Sequence, residues 1–479
     1  CLRRLAARHG ARELLVADGQ RLSFAEADAR SARLARALLE AGAGKGTRIG
    51  LCFPNGVEWV LGWLAAARIG AIAVPINTFF RAREMAWVLA HADVSILLTA
   101  SRLLDHDYAA QLEEAAPELA GARPGALRSP ALPHLRAVFA WGGTSRPWVQ
   151  AGEALAEGPR DAALDDAFLR AVEAAVAPVD PMLVLYSSGS TGDPKGAVHT
   201  HGSVLRHSRR LSALRGVKAD DRVWSPMPFF WVGGLVFSLL GTMHAGACLL
   251  AEAGFEPGRT LALLEAERAT AAIGWPHFGK ALVEHPEFAT RDLSALRAGN
   301  LPGLLPASVC PADPELRPNG LGMTETCGPH TYTGEQALPE SLRGSFGRAM
   351  PGVEHRIVDP ETGAVLGPGE AGEIHVRGDS LMQGLYKKER HEVFTPDGFY
   401  PTGDLGFFST EAILYFQGRS GEMIKSGGAN VTPSEVESVL AALPEVKEAF
   451  VVGVADARRG EAVAAAVVPE PGTAPTEAT

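Results

Sequence analysis

The chain has 479 residues, of which 46% are apolar and 21% charged, and its formal net charge is −10 at pH 7. This composition is typical of a globular protein, and the length predicts two or three packing units. The negative charge disfavours a general role in binding nucleic acid or a membrane surface, because neither polyanion would attract it.

The five cysteines are far apart and form no C-x-x-C pair, which disfavours metal or disulfide use and favours the cytoplasm. The most apolar stretch, residues 232–251, contains four glycines, and we interpret it as a buried helix followed by a strand. No signal peptide is evident, and we expect that both ends, at Cys1 and Thr479, are trimmed.

Strands and helices alternate over the first hundred residues. Ser23 and Glu26 form a capping-box pattern that predicts a helix ending near Gly42, and Asn55 with Glu58 predicts the start of the next helix. This alternation is typical of parallel sheets flanked by helices, an α/β architecture. Apolar runs predict strands at residues 47–53, 71–75 and 94–98.

Residues 101–175 contain one strand-like run, and we predict surface helices and loops for the rest of them. Residues 363–378 predict a β-rich segment. The sequence therefore predicts a large N-terminal domain of parallel or mixed sheets flanked by helices, with a β-rich subdomain, at residues 1–417. A small α+β C-terminal domain, incomplete here, is predicted at residues 418–479.

A glycine- and hydroxyl-rich segment, residues 186–196, directly follows an apolar run. It combines unobstructed backbone N–H groups, hydroxyl donors and one lysine, which are the groups that a triphosphate needs. Lys195 follows Gly192 by three residues, so this is not the G-x-x-x-x-G-K-[ST] loop of P-loop ATPases. A flexible surface linker is the alternative, although linkers rarely carry Pro-Lys after an apolar strand.

The segment resembles the phosphate loop of the adenylate-forming superfamily, which includes acyl- and aryl-CoA synthetases, luciferases and peptide-synthetase adenylation domains. The resemblance implies ATP- and Mg²⁺-dependent activation of a carboxylic acid to an acyl-adenylate, with release of pyrophosphate, and transfer to the thiol of coenzyme A. It extends from Leu2 to Val468. Four further segments are similar to family motifs in the right order, at residues 322–326, 372–378, 400–405 and 418–435.

The resemblance implies that Thr324 donates to the α-phosphate, that Glu325 binds Mg²⁺ and that Asp404 with Arg419 holds the ribose. One protein carboxylate is sufficient for Mg²⁺. Leu321 replaces the usual aromatic residue and weakens adenine stacking by about 1 kcal/mol. The implied nucleotide-binding residues are Ser187, Ser188, Gly189, Ser190, Thr191, Gly192, Lys195, Gly299, Asn300, Leu301, Asn319, Gly320, Leu321, Asp404 and Arg419.

Structural alternatives stay open for several residues. Thr324 and Glu325 could cap a helix, and Asp404 could form a turn after Gly403. Nothing in the sequence resembles a zinc site, so three evenly spaced histidines are interpreted as surface or helix-lining residues. These are His199, His201 and His207.

Few polar groups occur in the predicted substrate region, so we favour an apolar acid, fatty or aromatic. Trp231 stands where many members of the family have histidine. Core packing is the alternative for any one of the predicted substrate residues, which are listed next. Cys327 is better explained as a small apolar filler. The predicted substrate residues are Phe230, Trp231, Gly234, Trp275, His277, Met323 and Cys327.

The resemblance places a hinge at Gly421 and associates Lys425 with the second step. Gly427 and Gly428 would admit the thin thiol arm of coenzyme A. The family's adenylation lysine lies beyond Thr479. We therefore expect impaired adenylation if the chain ends there, and normal activity if a tail follows.

Alternative acceptors of the acyl group are a carrier protein, an amine or another nucleophile, and a homodimer is compatible with the sequence. A catalytically silent nucleotide-binding protein is a further alternative, which the intact Thr324, Glu325, Asp404 and Arg419 disfavour. We predict ATP, Mg²⁺ and coenzyme A as cosubstrates and cofactors, and neither nucleic acid nor a membrane span.

Overall fold

The computed structural model describes residues 1–187, 194–420, 424–426, 429–431, 433–456 and 460–473. Within these ranges the α-helices lie at Leu2–His9, Phe24–Glu40, Val57–Arg68, Ala82–His91, Tyr108–Ala115, Gly152–Ala156, Asp166–Ala174, His201–Leu214, Gly241–Ala245, Pro257–Ala266, Pro276–Val283 and Pro433–Ala441. Gly233–Leu240 is a π-helix. None of the helices in these ranges combines the length and the apolar character that crossing a bilayer requires.

The larger sheet of the described chain has eight strands, and its central part is parallel. Two neighbouring strands near one edge of this sheet pair antiparallel, and the predicted phosphate loop connects them. In spatial order the strands are Gly384–Leu385, Lys195–Thr200, Pro181–Ser187, Ile72–Pro75, Arg48–Cys52, Ile96–Ala100, Ala137–Trp141 and Gln150–Ala151.

A second sheet of six strands in the described chain is parallel except at one edge. Its strands, in spatial order, are Ala298–Gly299, Ala271–Ala272, Arg222–Trp224, Cys248–Ala251, Glu13–Ala17 and Gln20–Ser23. Apolar residues of both sheets and of the helices that cover them form one large hydrophobic core. The predicted α/β domain of mixed sheets is confirmed.

Two antiparallel sheets follow along the chain. The first, the predicted β-rich subdomain, contains Val353–Val358, Gly372–Gly378, Tyr400–Phe408 and Leu414–Arg419. The second contains Ala429–Val431, Ile424–Ser426, Gly460–Pro469 and Val446–Asp456 and packs against helix Pro433–Ala441. The predicted small α+β domain is thus present, and the boundary predicted at residue 417 falls within the last strand of the first sheet.

Local signals predicted several elements correctly. Ser23 and Glu26 form a capping box at the start of helix Phe24–Glu40, with both reciprocal hydrogen bonds made. The cap predicted at Asn55 is wrong, because its side chain instead accepts from the N–H of Phe229 and donates to the carbonyl of Met227. This helix begins at Val57 without a side-chain cap.

The prediction of surface helices and loops for residues 101–175 is also wrong in part. Leu112, Leu127 and Trp148 are completely buried there, and they belong to a second hydrophobic core on the other face of the eight-stranded sheet. The apolar residues of this region are widely spaced along the chain, so neither a helical nor a strand period revealed their burial.

Candidate functional site

The predicted phosphate loop connects two paired strands. Ser187 ends the first strand and lies opposite Lys195, which begins the second. Both ends of the loop are therefore fixed on the eight-stranded sheet, and the Lys195 side chain is exposed. Five of the predicted phosphate ligands lie outside the described residues: Ser188, Gly189, Ser190, Thr191 and Gly192.

Thr324 and Glu325 occupy a tight turn between the short paired strands Gly322–Met323 and Gly328–Pro329. The N–H of Cys327 donates to the carbonyl of Thr324 at 3.0 Å and closes the turn. Cys327 has φ 64°, a left-handed conformation that is uncommon for a residue with a side chain. A strand follows this turn, so the alternative in which the two residues cap a helix is wrong.

Three hydrogen bonds hold this turn beside the phosphate hairpin. Nε2 of His199 lies 2.8 Å from the carbonyl oxygen of Thr324. The N–H of Met382 donates to the carbonyl of Glu325 at 2.8 Å, and the next N–H, of Gln383, donates to the carbonyl of Val198 at 2.7 Å. These hydrogen bonds therefore fix the Thr324–Glu325 turn beside the strand that begins at Lys195.

Glu325 is 8% exposed, and burial raises the pKa of its carboxyl group. The positive charges of Arg419 and Lys195 lower this pKa, and the negative charge of Asp404 raises it further, so these groups lie near one another. A buried carboxylate is costly unless a cation neutralises it, and the site therefore fits a divalent cation. The described residues include no cluster of three or more metal ligands, so Glu325 is not part of a complete protein cage for a metal ion.

Asp404 is 5% exposed and lies inside strand Tyr400–Phe408, so the alternative of a turn-forming aspartate is wrong. It pairs across the sheet with Arg419, whose Nε donates to the Asp404 Oδ1 at 2.8 Å. Burial raises the pKa of Tyr400 in the same strand, and the charges of Glu325, Arg419 and Asp404 also act on it. Tyr400 thus belongs to this cluster, although only its motif, and not its side chain, was singled out in the sequence.

The two predicted adenine segments meet at a cavity of about 160 Å³, which Gly299, Asn300, Asn319 and Gly320 help to line. The side chain of Leu301 is completely buried in the hydrophobic core of the six-stranded sheet and does not line this cavity. Leu321 is half-buried and packs against the largest core.

The predicted substrate aromatics form a continuous series of ring contacts. The Phe230 and Trp231 ring centroids are 5.1 Å apart, those of Trp231 and Trp275 are 5.5 Å apart, and His277 stacks on Trp275 at 6.0 Å. Trp231 and Trp275 are 37% and 39% exposed, which excludes plain core packing for these two. They are therefore available to a ligand.

The other three predicted substrate residues differ. Met323 is half-buried, whereas Cys327 is completely buried in the largest core, as expected of an apolar filler. Gly234 serves packing, because a Cβ there would overlap the carbonyl oxygen of Pro228. Gly421, Gly427 and Gly428 lie outside the described residues, and Lys425 lies in strand Ile424–Ser426 opposite Asn430.

The three evenly spaced histidines are not surface residues: His199 and His207 are completely buried and His201 is 9% exposed. Histidine content alone could not reveal this, because burial depends on the elements that cover them. Desolvation by burial lowers the pKa of five histidines to about 4: His199, His201, His207, His244 and His355.

The lowered pKa values of these histidines predict that acid destabilises the fold. Between pH 6.5 and 4 each histidine binds a proton in the unfolded chain but not in the folded one, so the free energy of unfolding falls as the pH is lowered. Each histidine lowers the free energy of unfolding by about 3 kcal/mol once the pH is below its pKa in the folded protein. We expect cooperative unfolding before pH 4, measured by urea titration at several pH values. His244→Gln should make the pH dependence shallower, and an unchanged dependence would contradict this explanation.

Comparisons with known proteins agree with this arrangement. The family described as "AMP-binding enzyme" matches residues 2–386, and "AMP-binding enzyme C-terminal domain" matches residues 435–479. The mouse (Mus musculus) protein "Medium-chain acyl-CoA ligase ACSF2, mitochondrial" is 31% identical over 98% of this chain and 78% of its own length.

The "Putative acyl-CoA synthetase YngI" of Bacillus subtilis (strain 168) is 31% identical over 93% of this chain and 82% of its own length. The crystal structure of ATP-bound MatB from Rhodopseudomonas palustris superimposes with a TM-score of 0.80 and 27% identity, covering 100% of this chain and 90% of MatB. The chain therefore belongs to the AMP-binding, adenylate-forming enzyme family and is an acid–thiol ligase of the acyl-CoA synthetase-like, AMP-forming type.

Proposed function

We propose that the protein activates an apolar carboxylic acid, fatty or aromatic, with ATP and Mg²⁺ and transfers the acyl group to coenzyme A. The observation that carries this proposal is the attachment of the Thr324–Glu325 turn to the strand that begins at Lys195. The reaction joins two anions, a carboxylate and a triphosphate, so catalysis depends on positioning and charge neutralisation.

In the first step the carboxylate oxygen attacks the α-phosphorus of ATP, and pyrophosphate leaves. Ser187 and Lys195, with the loop between them, hold the outer phosphates, and Thr324 donates to the α-phosphate. Asp404, which Arg419 orients through the hydrogen bond between them, accepts from the ribose hydroxyls.

Glu325 would hold Mg²⁺ together with phosphate oxygens, because Mg²⁺ commonly takes one or two protein carboxylates. When bound, this ion would neutralise charge on the phosphates. The burial of Glu325 and the raised pKa of its carboxyl group support this role.

His199 is a positioning residue in this proposal, because its Nε2–H donates to the carbonyl of Thr324. We expect His199→Ala to lower kcat by about 10- to 100-fold with a smaller change in KM for ATP, since a small displacement of Thr324 mainly affects the transition state. Steady-state kinetics would measure this. His199→Gln, which keeps a donor, should recover part of the loss, and a pure KM effect would contradict the role.

The proposed reaction is tested by acid-dependent exchange of labelled pyrophosphate into ATP, screened over straight-chain, branched and aromatic acids. AMP release with and without coenzyme A then identifies the acceptor. If exchange occurs but coenzyme A does not stimulate AMP release, the acceptor of the acyl group is not coenzyme A but another nucleophile, such as a carrier protein or an amine. Absence of exchange with every acid in the natural full-length protein would refute the proposed function.

Lys425, Gly427 and Gly428 would serve the transfer to coenzyme A, and Gly421 the rotation between the two domains. The roles of these residues, the domain boundary at residue 417, the cytoplasmic location and a homodimer stay predictions.

A further inference from the structure

The motif at residues 372–378 has no role in the site described so far. It forms a strand that pairs antiparallel with the strand that carries Asp404. In the middle of this pairing the register shifts, so that Ile374 alone stands opposite three residues, 402–404. Such a bulge leaves backbone groups without their partners in the ladder and changes the direction of side chains. The bulge therefore helps to set the position of the Asp404 carboxylate.

Side chains replace the missing backbone partners in this bulge. The N–H of Gly403 donates to Oε1 of Glu373 at 2.9 Å. The N–H of Asp404 donates to Oγ1 of Thr402 at 3.0 Å, and this hydroxyl donates to the carbonyl of Ile374 at 2.6 Å. Gly403 has φ +75°, in the left-handed region that favours glycine. Glu373 thus holds the glycine that directly precedes Asp404.

His375, two residues further along the same strand, fixes the other oxygen of Glu373. Its Nε2 lies 3.2 Å from the Glu373 Oε2, and its side chain is 8% exposed. The hydrogen bond from His375 lowers the pKa of the Glu373 carboxyl group against the effect of burial, and the N–H of Gly403 also lowers it. An ionised carboxylate only accepts, so each of its oxygens has a donor here.

We propose that Glu373 is a positioning residue for the sugar of the nucleotide and that, by holding Gly403, it makes the site prefer ATP to 2′-deoxy-ATP. The inference rests on the proposed function, in which Asp404 accepts from the ribose hydroxyls. Arg419 holds the Asp404 carboxylate from the neighbouring strand at 2.8 Å, and Glu373 fixes the backbone before it. A small displacement of a group that binds a substrate is costly, because hydrogen bonds depend steeply on geometry.

The test measures, by calorimetry, the Kd of ATP and of 2′-deoxy-ATP for the natural full-length protein. We expect ATP to bind about tenfold or more tightly than 2′-deoxy-ATP, because the deoxy sugar lacks a hydrogen bond to a charged group. Glu373→Ala should reduce this preference to about threefold or less, since the Asp404 carboxylate is no longer held in place. Asp404→Ala, which lacks the carboxylate, provides the reference value without the sugar contact.

Two further substitutions of Glu373 separate positioning from charge. Glu373→Gln keeps a carbonyl oxygen for the N–H of Gly403 and should keep most of the preference. Glu373→Asp keeps the charge but is one methylene shorter, so it should lose the preference as Glu373→Ala does, and it replaces that variant if alanine prevents folding. Glu354→Ala is the matched control, because Glu354 lies in the next strand of the same sheet with a side chain that is 63% exposed, and it should keep the preference.

Several results would overturn the inference. These are a preference near one in the unaltered protein, a preference that Glu373→Ala and Glu373→Asp retain, and an equal loss of affinity for both nucleotides, which would assign Glu373 to the fold alone. A preference that Asp404→Ala retains would overturn it together with the ribose-binding role of Asp404. Absence of acid-dependent pyrophosphate exchange in a protein that shows the predicted nucleotide preferences would instead refute the proposed function and leave this inference standing.

Discussion

Glu325→Gln should lower the rate of acid-dependent pyrophosphate exchange by about 10²- to 10³-fold, the loss typical when one group that stabilises transition-state charge is removed. Glutamine has nearly the same size, but it cannot supply the negative charge that a divalent cation requires. The measurement is kcat for exchange at several Mg²⁺ concentrations. The variant should also need more Mg²⁺ for half-maximal rate.

The stability of Glu325→Gln separates this effect from a folding defect. Burial raises the pKa of Glu325, so ionisation of this carboxyl costs the folded state free energy at neutral pH. We expect the variant to be at least as stable as the unaltered protein in urea titrations at pH 7. The exposed Glu361 offers the matched control, and Glu361→Gln should keep both rate and stability. Exchange at the normal rate in Glu325→Gln would contradict its assigned role.

Gly299→Ala should reduce the free energy of unfolding by about 4 kcal/mol or more, among the larger effects known for single substitutions. Gly299 has φ +131°, a conformation that residues with side chains rarely adopt. A Cβ there would also overlap the carbonyl oxygen of Ala272, with which it pairs in the six-stranded sheet. The strand at the wall of the cavity would have to move away.

Gly334→Ala separates the two contributions to this loss. Gly334 has φ +111° but open space around its missing Cβ, so we expect only the backbone cost, about 1 to 2 kcal/mol. Urea titrations of both variants measure the difference. Equal losses would mean that the close approach to Ala272 contributes nothing.

Local patterns in the sequence were sufficient for several elements and for the family. The capping box at Ser23 and the strand that ends at Ser187 depend on neighbours a few residues away, and both have the predicted form. The motifs around Thr324 and Asp404 are also local arrangements of residue types, and they contributed to the identification of the family.

Contacts between distant residues could not be predicted in this way. Asn55 has the pattern of a helix cap, yet its side chain bonds to a segment more than 170 residues away. His199 contacts the carbonyl of Thr324, which is 125 residues away in the sequence. Such partners are chosen by the packing of the sheets, which no local period records.

From residue types and spacing, the sequence predicted phosphate-binding chemistry for residues 186–196, because hydroxyls, glycines and one lysine must be consecutive to surround a phosphate chain. The resemblance of this and four further segments to known motifs identified the family, and the comparisons confirm it. Only the tertiary structure decided that Glu325 is buried among Lys195, Arg419 and Asp404, and that Glu373 accepts from the N–H of Gly403. Burial and charge proximity depend on how separate elements pack, so they exist only once the chain has folded.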